Sequence, residues 1–135
     1  MDMLRFTKVS KNNSYELSYD ESSNCLFAAF FGLWDKTSQL DYYTDDVKTM
    51  IAHSSSGFNI IYDFTQYKGC INQLVNLHVE AQNLLLEAGM DKAVVLINEN
   101  ELLRASVEFI FQMSGITPTF FSNIGMLQKW LDSFK

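Results

Sequence analysis

The sequence predicts an α/β fold in which helices cover a single mixed, mostly parallel sheet, and three observations lead to that prediction. Hydrophobic periodicity switches repeatedly between two and 3.6 residues, the periods of strands and helices. Helical segments alternate with short apolar runs, as in parallel strands joined by crossover helices. Gly57, Gly89 and Gly115 each follow a helical segment, where a terminating residue with positive φ is favoured. The predicted order of elements is β-β-α-β-α-β-α-β-α.

The first two strands are predicted to form an antiparallel hairpin at one edge of the sheet. Residues 15–19 alternate polar and apolar side chains, as a half-buried strand does. Residues 20–24 (Asp-Glu-Ser-Ser-Asn) are rich in turn formers, and residues 25–31 form a continuous apolar run. The remaining strands alternate with helices, so we expect them to be parallel.

The first helix is predicted to begin after Ser38, because serine is a favoured helix cap. Its apolar residues recur at intervals of three and four, which places them on one face: Leu40, Tyr43, Val47 and Ile51. Residues 58–64 follow as a short apolar run without polar alternation. Such a run is typical of a strand that is covered on both faces.

The second half of the chain repeats this alternation. Helical periodicity covers about residues 72–88, 99–114 and 124–134. Buried strands are predicted at residues 92–97 and 117–121. The last helix is expected to dock through its apolar residues, which include Trp130 and Leu131.

Length and composition indicate one globular domain spanning residues 1–135, with its core at about residues 15–134. The chain is 47% hydrophobic and contains one proline, which excludes a disordered polypeptide. Ten basic residues against sixteen acidic ones argue against nucleic acid as a partner. No apolar stretch reaches the roughly 20 residues of a bilayer-spanning helix, and we expect no integral membrane segment. Residues 1–10 contain no apolar run typical of a signal peptide, and the two cysteines suit a reducing compartment, so we expect a cytoplasmic protein and not a secreted precursor.

Motifs for nucleotide or metal binding are absent from the sequence. Neither G-x-G-x-x-G nor G-x-x-x-x-G-K-[ST] occurs, so neither standard phosphate-binding loop is present. Cys25 and Cys70 are far apart, and His53 and His78 stand alone, which does not fit a structural zinc site. We therefore expect no metal and no cofactor.

Cys70 is the one candidate nucleophile. It precedes a predicted helix, whose N-terminus can lower the pKa of a thiol. His78 follows eight residues later, but it shares a helical stripe with Leu74, Leu77 and Ala81 and is expected to face the sheet. We therefore assign no catalytic residue, and expect that the chain is not an enzyme.

The segment Tyr-Asp-Phe-Thr-Gln-Tyr-Lys-Gly, residues 62–69, stands out as a candidate functional site. It leaves a buried strand at its carboxyl end and is expected to form the loop that leads into the next helix. Ligands of α/β proteins are placed at this edge of the sheet, where backbone N–H groups and helix dipoles converge.

The order of elements and this segment together resemble the STAS family, the fold of the bacterial anti-sigma-factor antagonists. The likeness is to its SpoIIAA-like or STAS/SEC14 branch in particular. That family carries an Asp-hydrophobic-Ser/Thr sequence where the middle strand meets its loop, and Asp63-Phe64-Thr65 matches it. Trp130-Leu131 in the last helix is also similar to this branch. The resemblance extends from about residue 15 to residue 134.

The resemblance implies a non-catalytic regulatory domain that binds a partner protein or itself, as a homodimer. The family's working surface corresponds here to six residues: Asp63, Thr65, Tyr67, Lys68, Gly69 and Asn72. The SEC14-like branch implies an alternative, a carrier or sensor of a small apolar ligand, with the 14% of aromatic residues as pocket lining. A third and weaker alternative is an enzyme that uses Cys70.

The chain departs from the family at the position of the phosphorylated serine. The antagonists carry that serine in an Asp-Ser-Ser-Gly motif at the start of the following helix. Counting from Asp63, this place falls near Ile71, Asn72 and Gln73, none of which has a hydroxyl. We therefore expect no phospho-switch there, and we expect that Thr65, the nearest hydroxyl, is not the acceptor.

Overall fold

One six-stranded mixed sheet organises residues 6–133, the part of the chain that this computed structural model describes. Its strands are β1 (Thr7–Lys11), β2 (Tyr15–Asp20), β3 (Cys25–Trp34), β4 (Asn59–Cys70), β5 (Ala93–Leu96) and β6 (Thr119–Phe121). They lie in the sheet in chain order. β1, β2 and β3 pair antiparallel, whereas β3 to β6 pair parallel. The predicted mixed sheet with an N-terminal antiparallel hairpin is confirmed.

The helices cover both faces of the sheet. They are α1 (Tyr43–Ala52), α2 (Val75–Glu87), which a 3-10 turn (Asn72–Leu74) precedes, α3 (Glu101–Ser114) and α4 (Ile124–Asp132). Val47, Ala81 and Val107 show that α1, α2 and α3 share a core with Ile60 and Tyr62 of β4. Leu127 of α4 packs instead against Ile61 and Val94, whose side chains point to the opposite face.

Residue 134, predicted as the end of the last helix, lies outside the described residues. None of the helices between residues 6 and 133 combines the length and the hydropathy that a bilayer-spanning segment needs.

Strand β1 was not predicted, and the first helix begins later than predicted. β1 contains Val9 as its only apolar residue and lies at the edge of the sheet, so it gives no clear alternation. Ser38 does not cap α1. Its hydroxyl accepts a hydrogen bond from the Asp35 N–H at 2.9 Å and closes a turn before the helix, which starts only at Tyr43.

Aromatic side chains fill the core between the sheet and the first two helices. The fully buried ring of Phe30 is the centre of this cluster. Its ring neighbours within the core are Trp34, Tyr43, Tyr62, Phe64, Tyr67 and His78. Each ring removes a large apolar area from water, worth about 1.5–3 kcal/mol per fully buried side chain. Much of the aromatic content therefore packs ring against ring.

Candidate functional site

The 62–69 segment lies inside strand β4, so the prediction of a loop at this place is wrong. β4 pairs with β5 only as far as Asp63, which is opposite Leu96. Beyond that point, β3 and β4 continue together as a two-stranded ribbon to the pair of Trp34 and Cys70. The candidate site is therefore an irregular end of a long strand at the carboxyl edge of the sheet.

Two β-bulges interrupt this ribbon. Ala29 is opposite Asp63, whereas Phe31, two residues later, is opposite Gln66, three residues later, so β4 holds one extra residue. A second extra residue follows between Tyr67 and Gly69. Gly69 has a φ of +110°, a conformation that side-chain-bearing residues rarely adopt. Bulges of this kind redirect side chains and are common beside functional sites.

Hydrogen bonds hold the first bulge in one conformation. A carboxylate oxygen of Asp63 accepts from the backbone N–H of Thr65 at 2.9 Å and from its hydroxyl at 2.6 Å. The side-chain amide of Asn98, just after β5, donates to the carbonyl of Thr65 at 2.8 Å. The Thr65 hydroxyl is thus engaged with a carboxylate. A phosphate on that oxygen would lose this bond and would lie beside a like charge.

Tyr67 lies in the core, although the resemblance predicts it on the partner-binding surface. Its side chain is only 3% exposed, and its hydroxyl lies 3.2 Å from Nε2 of His78 in α2. The first bulge explains this position, because one extra residue reverses the alternation of side chains along β4. Tyr67 therefore packs in the core beneath β4, and its side chain is not accessible to a partner.

His78 faces the sheet, as its helical stripe predicts. Its ring stacks on Trp34 with 4.1 Å between ring centroids. Burial lowers the pKa of His78 from 6.5 to about 3, so the imidazole is neutral. A neutral, enclosed histidine that contacts Tyr67 and Trp34 has the surroundings of a structural residue.

Cys70 has the surroundings of a thiol rather than of a thiolate nucleophile. Burial raises its pKa, and a hydrogen bond with the Tyr67 hydroxyl offsets only part of that effect. Burial likewise raises the pKa of Cys25 to about 12. Both cysteines are free. Within residues 6–133, no group of three or more histidine, cysteine, aspartate or glutamate side chains is placed to hold a metal ion.

The other five predicted site residues reach the surface of the same strand end. Lys68 and Asn72 are exposed, and Asp63, Thr65 and Gly69 are partly exposed. Asn72 is the first residue of the 3-10 turn, whose N-cap position is taken by Ile71. We call these five residues the β4 surface. The two bulges determine the path of its backbone within β4, and Lys68 is the one cation among the five residues.

Asn98 also belongs to this region and was not predicted. It belongs to an Asn-Glu-Asn run that begins two residues after the end of β5, at the same sheet edge as Asp63. Carboxyl ends of neighbouring parallel strands meet at one edge, and this rule would have indicated Asn98. Asn98 also lines an open cleft of about 400 Å³ with Glu99, Asn100, Arg104 and Ser122 among its polar residues.

No protein-family model matches the sequence, and no curated protein matches it. Solved structures do match the fold. SiaC of Pseudomonas aeruginosa is similar with a TM-score of 0.53 at 9% identity, over 89% of this chain and 98% of that one. Its apo form gives a TM-score of 0.50 at 11% identity, over 87% and 97% of the two chains.

An uncharacterised protein of the DUF3478 family from Shewanella loihica, described as having a SpoIIAA-like fold, is similar with a TM-score of 0.60. The identity is 12%, over 90% of this chain and 97% of that one. At these identities the likeness concerns the fold alone. Together with the sheet order and the covering helices, it confirms that this chain has a SpoIIAA-like, and thus STAS-like, fold.

Proposed function

We propose that this chain is a non-catalytic regulatory domain that acts by binding a partner protein through the β4 surface. The observation that carries the proposal is the bulged end of β4, where hydrogen bonds fix Thr65, Lys68 is exposed, and the chain leads into the turn that exposes Asn72. The SpoIIAA-like fold supports it, since the family that the sequence resembles uses this part of the fold for binding. In this proposal the domain works in the cytoplasm, where its two cysteines stay reduced.

Pre-organisation is the physical advantage of this surface. Association costs free energy when loops and side chains must be ordered, and a segment that is already fixed avoids part of that cost. Asp63 and Asn98 fix Thr65 in the free protein. Lys68 is an exposed cation in a chain of net charge −6, and it would favour an acidic group on the partner.

The proposed mechanism has no phosphate switch. Residues 70–73 are Cys, Ile, Asn and Gln, which offer no hydroxyl at the start of α2. The nearest hydroxyl, that of Thr65, donates to Asp63. Binding would therefore be regulated by the partner's availability rather than by a charge added at this edge.

The apolar-ligand alternative has less support. It needs the aromatic side chains to line a pocket, whereas the rings around Phe30 pack against one another. The cleft beside Asn98 is open and lined by amide and charged side chains. The Cys70 enzyme is disfavoured because the pKa of that thiol is raised.

A pull-down from the native cell, with Lys68→Glu beside the wild type, tests the proposal. We expect clearly lower recovery of a specific partner at an unchanged melting temperature, because exposed substitutions usually change stability by less than about 0.5 kcal/mol. Lys48→Glu is the matched control, since Lys48 is also exposed but lies on α1. Equal recovery by all three proteins would contradict the proposal, and stoichiometric phosphate on Thr65 by mass spectrometry would contradict its switch-free part.

A further inference from the structure

Helix α3 carries a stripe of exposed apolar side chains. Leu102 is 84%, Phe109 55% and Met113 47% exposed. Together with Ser106, which is also exposed, they are spaced four, three and four residues apart. Residues advance by about 100° around a helix, so all four side chains lie within an arc of about 60°. We call these four residues the α3 stripe.

The α3 stripe carries no charge and has uncharged neighbours on its exposed side. Those neighbours are Ala105 and Gln112. The charged residues of α3 are Glu101, Arg104 and Glu108, and each lies about 110° or more around the helix from the centre of the stripe. Two copies of α3 can therefore meet along this face without opposing like charges, although the whole chain has a net charge of −6.

The order of the four side chains is complementary to itself when reversed. Leu102 and Met113 are equally far from the midpoint between residues 107 and 108, and so are Ser106 and Phe109. If two copies of α3 pack antiparallel about a two-fold axis at this midpoint, Leu102 meets Met113 of the second copy. Phe109 then meets Ser106, so that a large side chain faces a small one, as in well-packed helix pairs. The alternation of four and three residues is also that of a coiled-coil seam.

Ser106 can be covered without leaving an unpaired polar group. Its hydroxyl donates to the carbonyl of Leu102, one turn earlier in the same helix, at 3.2 Å. Because this hydrogen bond is made within α3, a phenylalanine ring placed over the side chain of Ser106 does not break it. Burying a polar group is costly mainly when it is left without a partner.

We propose that this chain forms a homodimer in which two copies of α3 pack antiparallel along the α3 stripe. The contact removes Leu102, Phe109 and Met113 of each copy from water, which is its driving force. With one helix from each copy, the interface is at the low end of protein–protein interfaces, below about 1,200 Å² in total, so the dimer forms reversibly with concentration. The proposal does not rest on the β4 surface.

Cysteine cross-linking tests the register of the two helices. Leu102→Cys and Met113→Cys are purified separately, mixed and oxidised mildly, and peptide mapping identifies the disulfides. We expect residue 102 to be linked to residue 113, at a yield several times that of any 102–102 or 113–113 bond. In the antiparallel pair, two copies of residue 102 are about 16 Å apart along the helix, too far for a disulfide. The wild type treated in the same way gives the background from the native cysteines.

Sedimentation velocity over a series of concentrations measures the dimer itself. We expect the sedimentation coefficient of the wild type to rise with concentration, and Phe109→Ser to raise the dissociation constant by about tenfold or more. Met126→Ser is the matched control, because Met126 is 50% exposed but lies on α4, at the other face of the sheet. Lys68→Glu should also leave the dimer unchanged, which separates this test from that of the β4 surface. Thermal melting of each variant confirms folding.

Several outcomes would overturn the proposal. A chain that stays monomeric at every concentration would exclude the dimer, and an equal loss with Met126→Ser would exclude the α3 stripe as its interface. Bonds between two copies of residue 102 at the same yield as 102–113 bonds would contradict the antiparallel register. A monomeric chain that binds phosphatidylglycerol vesicles, with Phe109→Ser abolishing the binding, would assign the stripe to a membrane surface instead.

Discussion

Replacing His78 by glutamine should remove much of the sensitivity of folding to mild acid. In the native state His78 is enclosed between Trp34 and Tyr67, and its pKa is lowered to about 3. In the unfolded chain the imidazole titrates near its ordinary value of 6.5. Glutamine cannot take up this proton, but its side-chain oxygen can still accept a hydrogen bond from Tyr67.

The sign follows from the difference in bound protons. Below pH 6.5 the unfolded state binds a proton that the native state refuses, so the free energy of unfolding falls as the pH falls. Below pH 6.5 each further pH unit lowers the free energy of unfolding by up to about 1.4 kcal/mol. Because the slope is small above pH 6.5, the total loss between pH 8 and pH 5 is about 2 kcal/mol. Carboxylates titrate nearer pH 4, so this window largely isolates the histidine.

Urea denaturation at pH 8, 6.5 and 5, followed by tryptophan fluorescence, measures the effect. We expect the wild type to lose about 2 kcal/mol across this window and His78→Gln to lose much less, whatever its stability at pH 8. His53→Gln is the matched control, because it removes the other histidine and keeps His78. Equal losses for the wild type and His78→Gln would refute the reasoning.

Three further predictions concern the packing and the thiols. In the native protein a thiol reagent should label the partly exposed Cys70 before the buried Cys25, and in denaturant it should label both cysteines. Finding no free sulfhydryl in the denatured chain would contradict this prediction. Leu127→Ala should lower the free energy of unfolding, measured by urea denaturation, by about 2–5 kcal/mol, because Leu127 packs α4 against the sheet. A loss below about 0.5 kcal/mol would show that α4 does not pack there. Gly69→Val should lower the free energy of unfolding by about 1–3 kcal/mol, because residue 69 has a positive φ, whereas Gly125→Ala in helix α4 should not lower it. Equal losses of stability in the two variants would argue against the second bulge.

Hydrophobic periodicity was sufficient for most of the fold. The apolar runs that became β3 and β5 are buried strands, and the stripe on α2 correctly placed His78 against the sheet. β1 was not predicted because a strand at the edge of a sheet needs few buried apolar side chains, and Val9 is the only apolar residue of β1. Burial imposes a pattern on a sequence, and an exposed edge does not.

The conformation of the 62–69 segment was not predicted. Gly69 and Lys68 are typical of a chain leaving a strand, so the segment suggested a loop. The long partner strand β3 keeps β4 paired through two bulges instead. A bulge shifts the alternation by one residue, which is why Tyr67 lies in the core while its neighbour Lys68 is exposed. No pattern of hydrophobic residues in this segment of the sequence predicts such a shift.

Hydrogen exchange of the full chain, alone and with the protein recovered in the pull-down, tests the central claim most directly. We expect the partner to slow exchange in the peptide that covers residues 63–72 and to leave α1 (Tyr43–Ala52) unchanged. The same experiment with Lys68→Glu should show that protection reduced. Protection confined to other parts of the chain, with residues 63–72 exchanging at the same rate in both states, would contradict binding through the β4 surface.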